Sequence, residues 1–178
     1  TGYLLSGSVN SNYSVSSVAS SAGQVGMLVG KCSDATQVSN CYYLAGSNYG
    51  LGGTSVDAAG FVSITADSFA TGKIARLLNG GNGTSEKAAG VWGQKIGTDA
   101  YPVWNGDTVY GVVADAKEYI GNKGTKVALP AITPGFDGVN MRDGYYRDKA
   151  GLNKYQTSYT IAAFDDTLTS ICKISDTL

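Results

Sequence analysis

The sequence predicts an all-β protein, and three observations carry that expectation. Twenty-five glycines and twelve tyrosines stand against three prolines, with only 15% charged residues, a composition of β proteins rich in turns. From Tyr3 to Ser20, apolar and small polar residues alternate as in strands with one exposed face. The same pattern then returns: VNSNYSV from Val9 and VSNCYYL from Val38 align with Val9 over Val38, Tyr13 over Tyr42 and Val15 over Leu44, 29 positions apart. Repetition at a period of roughly 20 to 50 residues marks a solenoid, in which each unit hides its apolar face by stacking on the next.

Composition also narrows the function. At 178 residues and 43% hydrophobic the chain can bury a core, as one elongated domain or two small ones. A net charge of -1 without a Lys/Arg cluster argues against a nucleic-acid partner. No apolar window reaches the length of a membrane span, so membrane insertion is not expected. Thr1-Gly2-Tyr3 lacks the basic start of a signal peptide, and a start at Thr points to a mature or excised fragment. With no histidine, a Ser-His-Asp triad, a Cys-His dyad and imidazole-bound zinc are excluded within this segment. No cofactor is expected. Cys32, Cys41 and Cys172 allow at most one disulfide. Cys32 and Cys41 either close a short loop or lie unpaired in a β core.

After a Gly-rich link, the run GFVSIT ends at Thr65. Thr65 or Asp67 then caps a helix from Asp67 to Leu78, with Ala70, Ile74, Leu77 and Leu78 on one face and Asn79-Gly80-Gly81 as the stop. A ladder of strands ending in water exposes an apolar rung and an unpaired edge, so this helix is expected to lie over the last rung. Asn105-Gly106 predicts a hairpin turn between Pro102-Val103-Trp104 and Thr108-Val109-Tyr110. Beyond it, several short strands are expected, separated by Pro134-Gly135, Asp137-Gly138 and Lys149-Ala150-Gly151 turns.

Two stretches carry family resemblances. Val25-Gly26-Met27-Leu28-Val29-Gly30, a polar turn, and Val38-Ser39-Asn40-Cys41-Tyr42 resemble the GLUG repeat of large bacterial surface proteins, with Met27 where the family has a second Gly. The stretch from Phe69 to Val103 resembles the segment that closes such arrays. These likenesses imply a right-handed β-solenoid with a capping helix and hairpin over residues 1–108. Val127-Ala128-Leu129-Pro130, Gly135-Phe136, Gly144-Tyr145-Tyr146, Asp148-Lys149-Ala150-Gly151, Tyr155, Tyr159-Thr160-Ile161 and Asp165-Asp166-Thr167-Leu168 resemble the Listeria–Bacteroides repeat, or internalin B-repeat. That implies a β-grasp-like module over 109–178. The family has Gly-Trp where Gly144-Tyr145 stands, and a terminal aromatic where Ile171-Cys172 stands.

Few residues invite a site. Trp92, Tyr101 and Trp104 fall within thirteen positions and read first as the hydrophobic plug of the cap. The alternative is a stacking platform for sugar rings. Asp34, Asp57 and Asp67 with Lys31 lack the spacing of paired catalytic carboxylates. Asp137, Asp143, Asp148, Asp165 and Asp166 sit in turn contexts without the spacing of a Ca²⁺ loop. Leu129-Pro130-Ala131-Ile132-Thr133 resembles a sortase signal but lacks the Gly, apolar tail and basic end. A Lys–Asn isopeptide crosslink, known in some adhesins, needs a buried Lys, an amide and a carboxylate.

The expectation is a non-catalytic stalk or adhesin segment of a secreted bacterial cell-surface protein. Its partners are a glycan or protein on a host or neighbouring cell and further domains of the same chain. The alternatives are a carbohydrate-binding or ancillary region of a polysaccharide-degrading enzyme, or of a secreted metalloprotease, which GLUG repeats accompany.

Overall fold

The computed structural model describes residues 2–19, 21, 24–34, 37–46, 48–53, 59–80, 91–148, 151, 153–155 and 157–173. Among them the chain is mostly β, with nineteen short strands and two short helices. Thr1, Ser20, Asp57, Gly81, Lys149 and Ala150, named from the sequence, lie outside the described residues.

Residues 3–19 do not form one strand. They form β1 (Tyr3–Leu4), β2 (Val9–Asn10) and β3 (Tyr13–Ser14), separated where Gly7 and Ser11 adopt φ of 85° and 52°. Such left-handed residues reverse the chain and end each strand after two residues. Next come β4 (Lys31–Cys32), β5 (Val38–Ser39), β6 (Cys41–Leu44) and β7 (Phe61–Ile64). β1 pairs in parallel with β4, β2 with β5 and β3 with β6. Val9 lies opposite Val38 and Tyr13 opposite Tyr42, the partners read from the 29-residue repeat. β6 continues in parallel to β7, Cys41 opposite Phe61 and Leu44 opposite Ile64. Met27-Leu28-Val29 adds a parallel bridge from Val29 to Leu51, and Val29 is fully buried.

Alternation along β6 separates two cores. Cys41 and Tyr43 join Leu4, Val29, Val38 and Phe61 on one face of the sheet. Tyr42 and Leu44 join Tyr13, Ile64, Phe69, Ile74 and Leu78 on the other.

The helical segment occupies that second face. The single helix expected from Asp67 to Leu78 is two helices, α1 (Ala66–Ala70) and α2 (Lys73–Leu78). The break is at Gly72, with φ of 82°, where a Cβ would stand 2.7 Å from Ile96 Cδ1 and 3.1 Å from Val109 Cγ1. Close approach by a later segment thus overrides the helical pattern. Thr65, not Asp67, is the N-cap, its hydroxyl accepting from the Ser68 N–H. The break also rotates the buried face: Phe69 and Ala75 are fully buried, whereas Ala70 is exposed. The helices pack on Ile64 of the last strand and also on Tyr42 and Tyr13 of the two strands before it, so they cover this face of the sheet and not its last rung alone.

The Asn105-Gly106 turn forms, with Asn105 at φ of 59° and the Gly106 N–H donating to the Val103 carbonyl, but it does not join the strands expected. β8 (Trp92–Gly93) takes β9 (Val103–Trp104) as its antiparallel partner. The Asn105 N–H donates to the Val91 carbonyl and the Gln94 N–H to the Asp107 carbonyl. Gly93 and Gly106 admit this pairing, since a Cβ on Gly93 would stand 2.2 Å from the Gly106 carbonyl.

The chain after residue 108 pairs elsewhere. β10 (Val109–Ala114) and β11 (Lys117–Asn122) make the longest hairpin, turning through Asp115 and Ala116 at φ of 45° and 66°. Two left-handed residues match a type I′ turn, whose twist suits a two-residue loop. β12 (Lys126–Ala128), β13 (Gly135–Phe136), β14 (Asn140–Arg142), β15 (Tyr145–Tyr146), β16 (Lys154–Tyr155), β17 (Ser158–Thr160), β18 (Asp166–Leu168) and β19 (Cys172–Lys173) follow. β18 returns parallel to β10, completing the order β11-β10-β18. Tyr110, Val112, Ala114, Leu129, Tyr145, Tyr159, Ile161 and Leu168 form the third core. Gly138 and Gly151 are left-handed turn residues, whereas Gly135 is part of a strand.

No helix among the described residues is long and apolar enough to cross a membrane.

Candidate functional site

The three aromatic residues singled out in the sequence meet at the joint between ladder, helices and hairpin. Pairing of β8 with β9 sets Trp92 opposite Trp104, and their rings meet edge to face with centroids 5.1 Å apart. Trp92 meets Tyr13 at 5.2 Å, Tyr13 meets Phe69 at 5.7 Å, and Phe69 meets Tyr101 at 5.6 Å. Five rings thus run from solvent to core, each contact worth about 0.5–1.5 kcal/mol beyond area burial.

Polar groups lock this chain of rings. The Trp92 indole N–H donates to the Ser11 carbonyl at 2.8 Å, and the Tyr13 hydroxyl to the Pro102 carbonyl at 2.5 Å. Burial, with the Tyr101 phenol as lesser cause, pushes the Tyr13 hydroxyl above its ordinary pKa. Asn79, read as a helix stop, also grips Trp92: its amide donates to the Trp92 carbonyl and accepts from the Trp92 N–H. From the ladder, the Asn40 amide donates to the Leu77 and Leu78 carbonyls, satisfying the free end of α2.

The aromatics therefore divide. Trp92 and Tyr101 pack against the second core and act as a plug. Trp104 is 57% exposed beside Val103 at 44%, so it alone offers a free ring face.

Three polar residues that the sequence reading did not single out as a site tie this joint to the segment after residue 108. Gln94, fully buried, donates to the Phe69 and Asp99 carbonyls. The Asn122 amide donates to the Gln94 and Thr108 carbonyls and accepts from the Ile96 N–H. Arg76 pairs with Glu118 and with Asp165, each at 2.8 Å. Its Nε lies over Gly111, where a Cβ would come within 2.7 Å, and the Gly111 N–H donates to Asp165. No local signal marks these residues, because their partners lie 5 to 89 positions away.

The remaining candidates have structural surroundings. Cys32 and Cys41 form no disulfide, so the bridge left open by the sequence is not formed. The Cys41 thiol faces the core and donates to the Ser39 carbonyl, while that of Cys32 donates to the Asp34 carbonyl. Burial raises the Cys41 pKa, as expected of an inert core thiol. Lys31 lies over the Tyr3 ring. Asp166 accepts from Tyr159 and pairs with Arg147.

Asp143 accepts from both Tyr146 and Lys154. Hydrogen bonding to Lys154, then to Tyr146, lowers the Asp143 pKa, and hydrogen bonding to Asp143 raises that of Lys154. Both groups are held charged, the reverse of the neutral amine an amide-forming crosslink requires. Among the described residues, no group of three or more Cys, Asp or Glu side chains is placed to hold a metal ion.

Comparison with protein-family models, with curated proteins and with solved structures finds no match to this chain in any of the three.

Proposed function

We propose that this chain is a non-catalytic structural and adhesive segment of a large secreted bacterial cell-surface protein. Residues 1–108 are the closing end of a right-handed β-solenoid of GLUG type. Residues 109–178 are a β-grasp-like module of the internalin B-repeat kind. The observation that supports this most is the parallel register itself, Val9 opposite Val38 and Tyr13 opposite Tyr42. Parallel neighbours need a long crossover, and coils stacked about one repeat apart provide it. Among the described residues β1, β2 and β3 pair only toward the later strands, an arrangement suited to carrying a further coil on the other edge. The polar ties through Arg76 and Asn122 suit a stalk, because a pull on either end is borne by hydrogen bonds between the two parts.

Labelling of intact producing cells with an antibody to this chain tests the reading. Surface staining that disappears after protease treatment of whole cells is expected. Staining seen only after lysis sinks the proposal. A carbohydrate-binding role is the second reading, favoured by the exposed ring of Trp104. Its sign is glycan-array binding lost in Trp104→Ala with the melting temperature unchanged.

A further inference from the structure

The three-stranded sheet β13-β14-β19 carries a groove of about 430 Å³, lined by Gly135, Phe136, Asp137, Asn140, Arg142 and Ile171. That volume lies within the roughly 300–1,000 Å³ typical of small-ligand clefts. Strand alternation explains the lining. Gly135 is opposite Arg142, Asn140 precedes Arg142 by two, and Ile171 adjoins Cys172, the partner of Met141. Asn140, Arg142 and Ile171 therefore share one face. Gly135, whose Cβ direction meets nothing within 4 Å, leaves the floor bare.

The groove has three chemistries. Arg142 supplies the positive charge, and its Nε–H is held at 3.1 Å by the hydroxyl of Ser170, which is 2% exposed. One terminal nitrogen is 3.9 Å from Asp115, and both side chains are well exposed, a distance at which solvent screens most of the attraction. The guanidinium is thus oriented and still able to take a carboxylate on its forked edge. Asp137 accepts from the Val139 and Asn140 N–H groups and from the Asn140 amide. Those bonds, the Asn140 side chain first, hold its pKa below the ordinary value and keep it a charged acceptor. Ile171, 44% exposed, is an apolar wall, and Phe136, 62% exposed, borders the rim.

We infer that this groove binds a carboxylated sugar: the carboxylate on Arg142, ring hydroxyls on Asp137 and Asn140, and the C–H face on Ile171. A neutral sugar leaves Arg142 without its partner. An acidic peptide side chain supplies the carboxylate but lacks adjacent hydroxyls for Asp137. The inference rests on the adhesive part of the proposed function and requires nothing of the ladder.

Calorimetric titration of the full chain with tri-galacturonic acid, against maltotriose as a neutral trisaccharide, tests it. The acidic sugar is expected to bind at least about tenfold more tightly than the neutral one, and less tightly as salt rises. Arg142→Gln is expected to reduce the affinity about tenfold or more, and Ile171→Glu, which sets a like charge on the wall, to do the same. Leu5→Ser, at an exposed position of the ladder, leaves it unchanged. The Ile171 variant answers the question should Arg142→Gln fail to fold. Equal binding of both sugars, no binding of either, or equal binding of a hexaglutamate peptide overturns the inference. So does affinity that survives both groove variants, or that is lost in Trp104→Ala instead. None of these results alters the surface-labelling outcome, so failure of the groove and failure of the adhesive reading remain distinguishable.

Discussion

The ladder before residue 65 and the sheets after residue 108 solve the same problem by different means. Both are built from strands of two to six residues, too short to hold a register by backbone hydrogen bonds alone. In the ladder, neighbours are parallel and similar in sequence, so Val stacks on Val and Tyr on Tyr. Residues 1–30 contain no charged side chain at all. After residue 108 most pairings are antiparallel, and among the described residues each of the five ion pairs has a partner in that region. Repetition allows one packing solution to be reused, whereas an irregular chain needs a separate polar tie at each crossing.

The joint between them borrows from both, and it is where the comparison is most easily broken. Phe69→Ala removes a fully buried ring that touches Tyr13 and Tyr101, and a loss of about 3–5 kcal/mol is expected. Urea unfolding followed at the tryptophans checks this. A single transition shifted as a whole means that ladder and C-terminal sheets unfold together, while an unshifted second transition means that they do not.

Arg76→Ala has the next largest effect. Its side chain is 16% exposed and serves two carboxylates. Partial solvent screening brings the roughly 3–5 kcal/mol of a fully buried pair down to about 2 kcal/mol. If the tie couples the regions, this variant splits one unfolding transition into two. An unchanged single transition would falsify the coupling.

Ala116→Gly acts in the opposite direction and on the C-terminal sheets alone. A non-glycine residue at φ of 66° is strained by about 1–2 kcal/mol, partly offset by the greater chain entropy of glycine. A gain of about 0.5–1 kcal/mol is expected, read as a rise in melting temperature. A fall would mean that the turn is not left-handed at this position.

The smallest effect is pH dependence from Asp143 and Lys154. Asp143 is lowered from 3.8 in the folded state, so its contribution is complete above that value and is lost as pH falls through the folded pKa. Lys154 is raised from 10.5, so its contribution is complete below that value and is lost as pH rises through the folded pKa. Lys154→Met should flatten both limbs of the stability profile while leaving the ladder's response to pH unchanged.

The ladder is the part most legible in sequence. VNSNYSV and VSNCYYL carry their alignment in their own letters, and the pairing of Val9 with Val38 repeats it. The run GFVSIT likewise contains β7. The hairpin was misassigned because Asn105-Gly106 specifies a turn but not the strands that flank it. The β10–β11 turn was missed because Asp115-Ala116 lacks the glycine that usually announces left-handed backbone. Trp92 and Trp104 stood out for their size, but nothing local distinguishes the ring that is packed from the ring that is exposed.

Periodicity and composition by themselves determined the β character and the ladder's register. Each of these depends on residues near in sequence or on a repeated motif. Tertiary structure alone decided that the helix breaks at Gly72, that Arg76 reaches Asp165, and that Gly135 leaves an open floor beside Arg142. Those outcomes depend on side chains brought together from distant positions, where close contact in space outweighs the weak local preference of the chain.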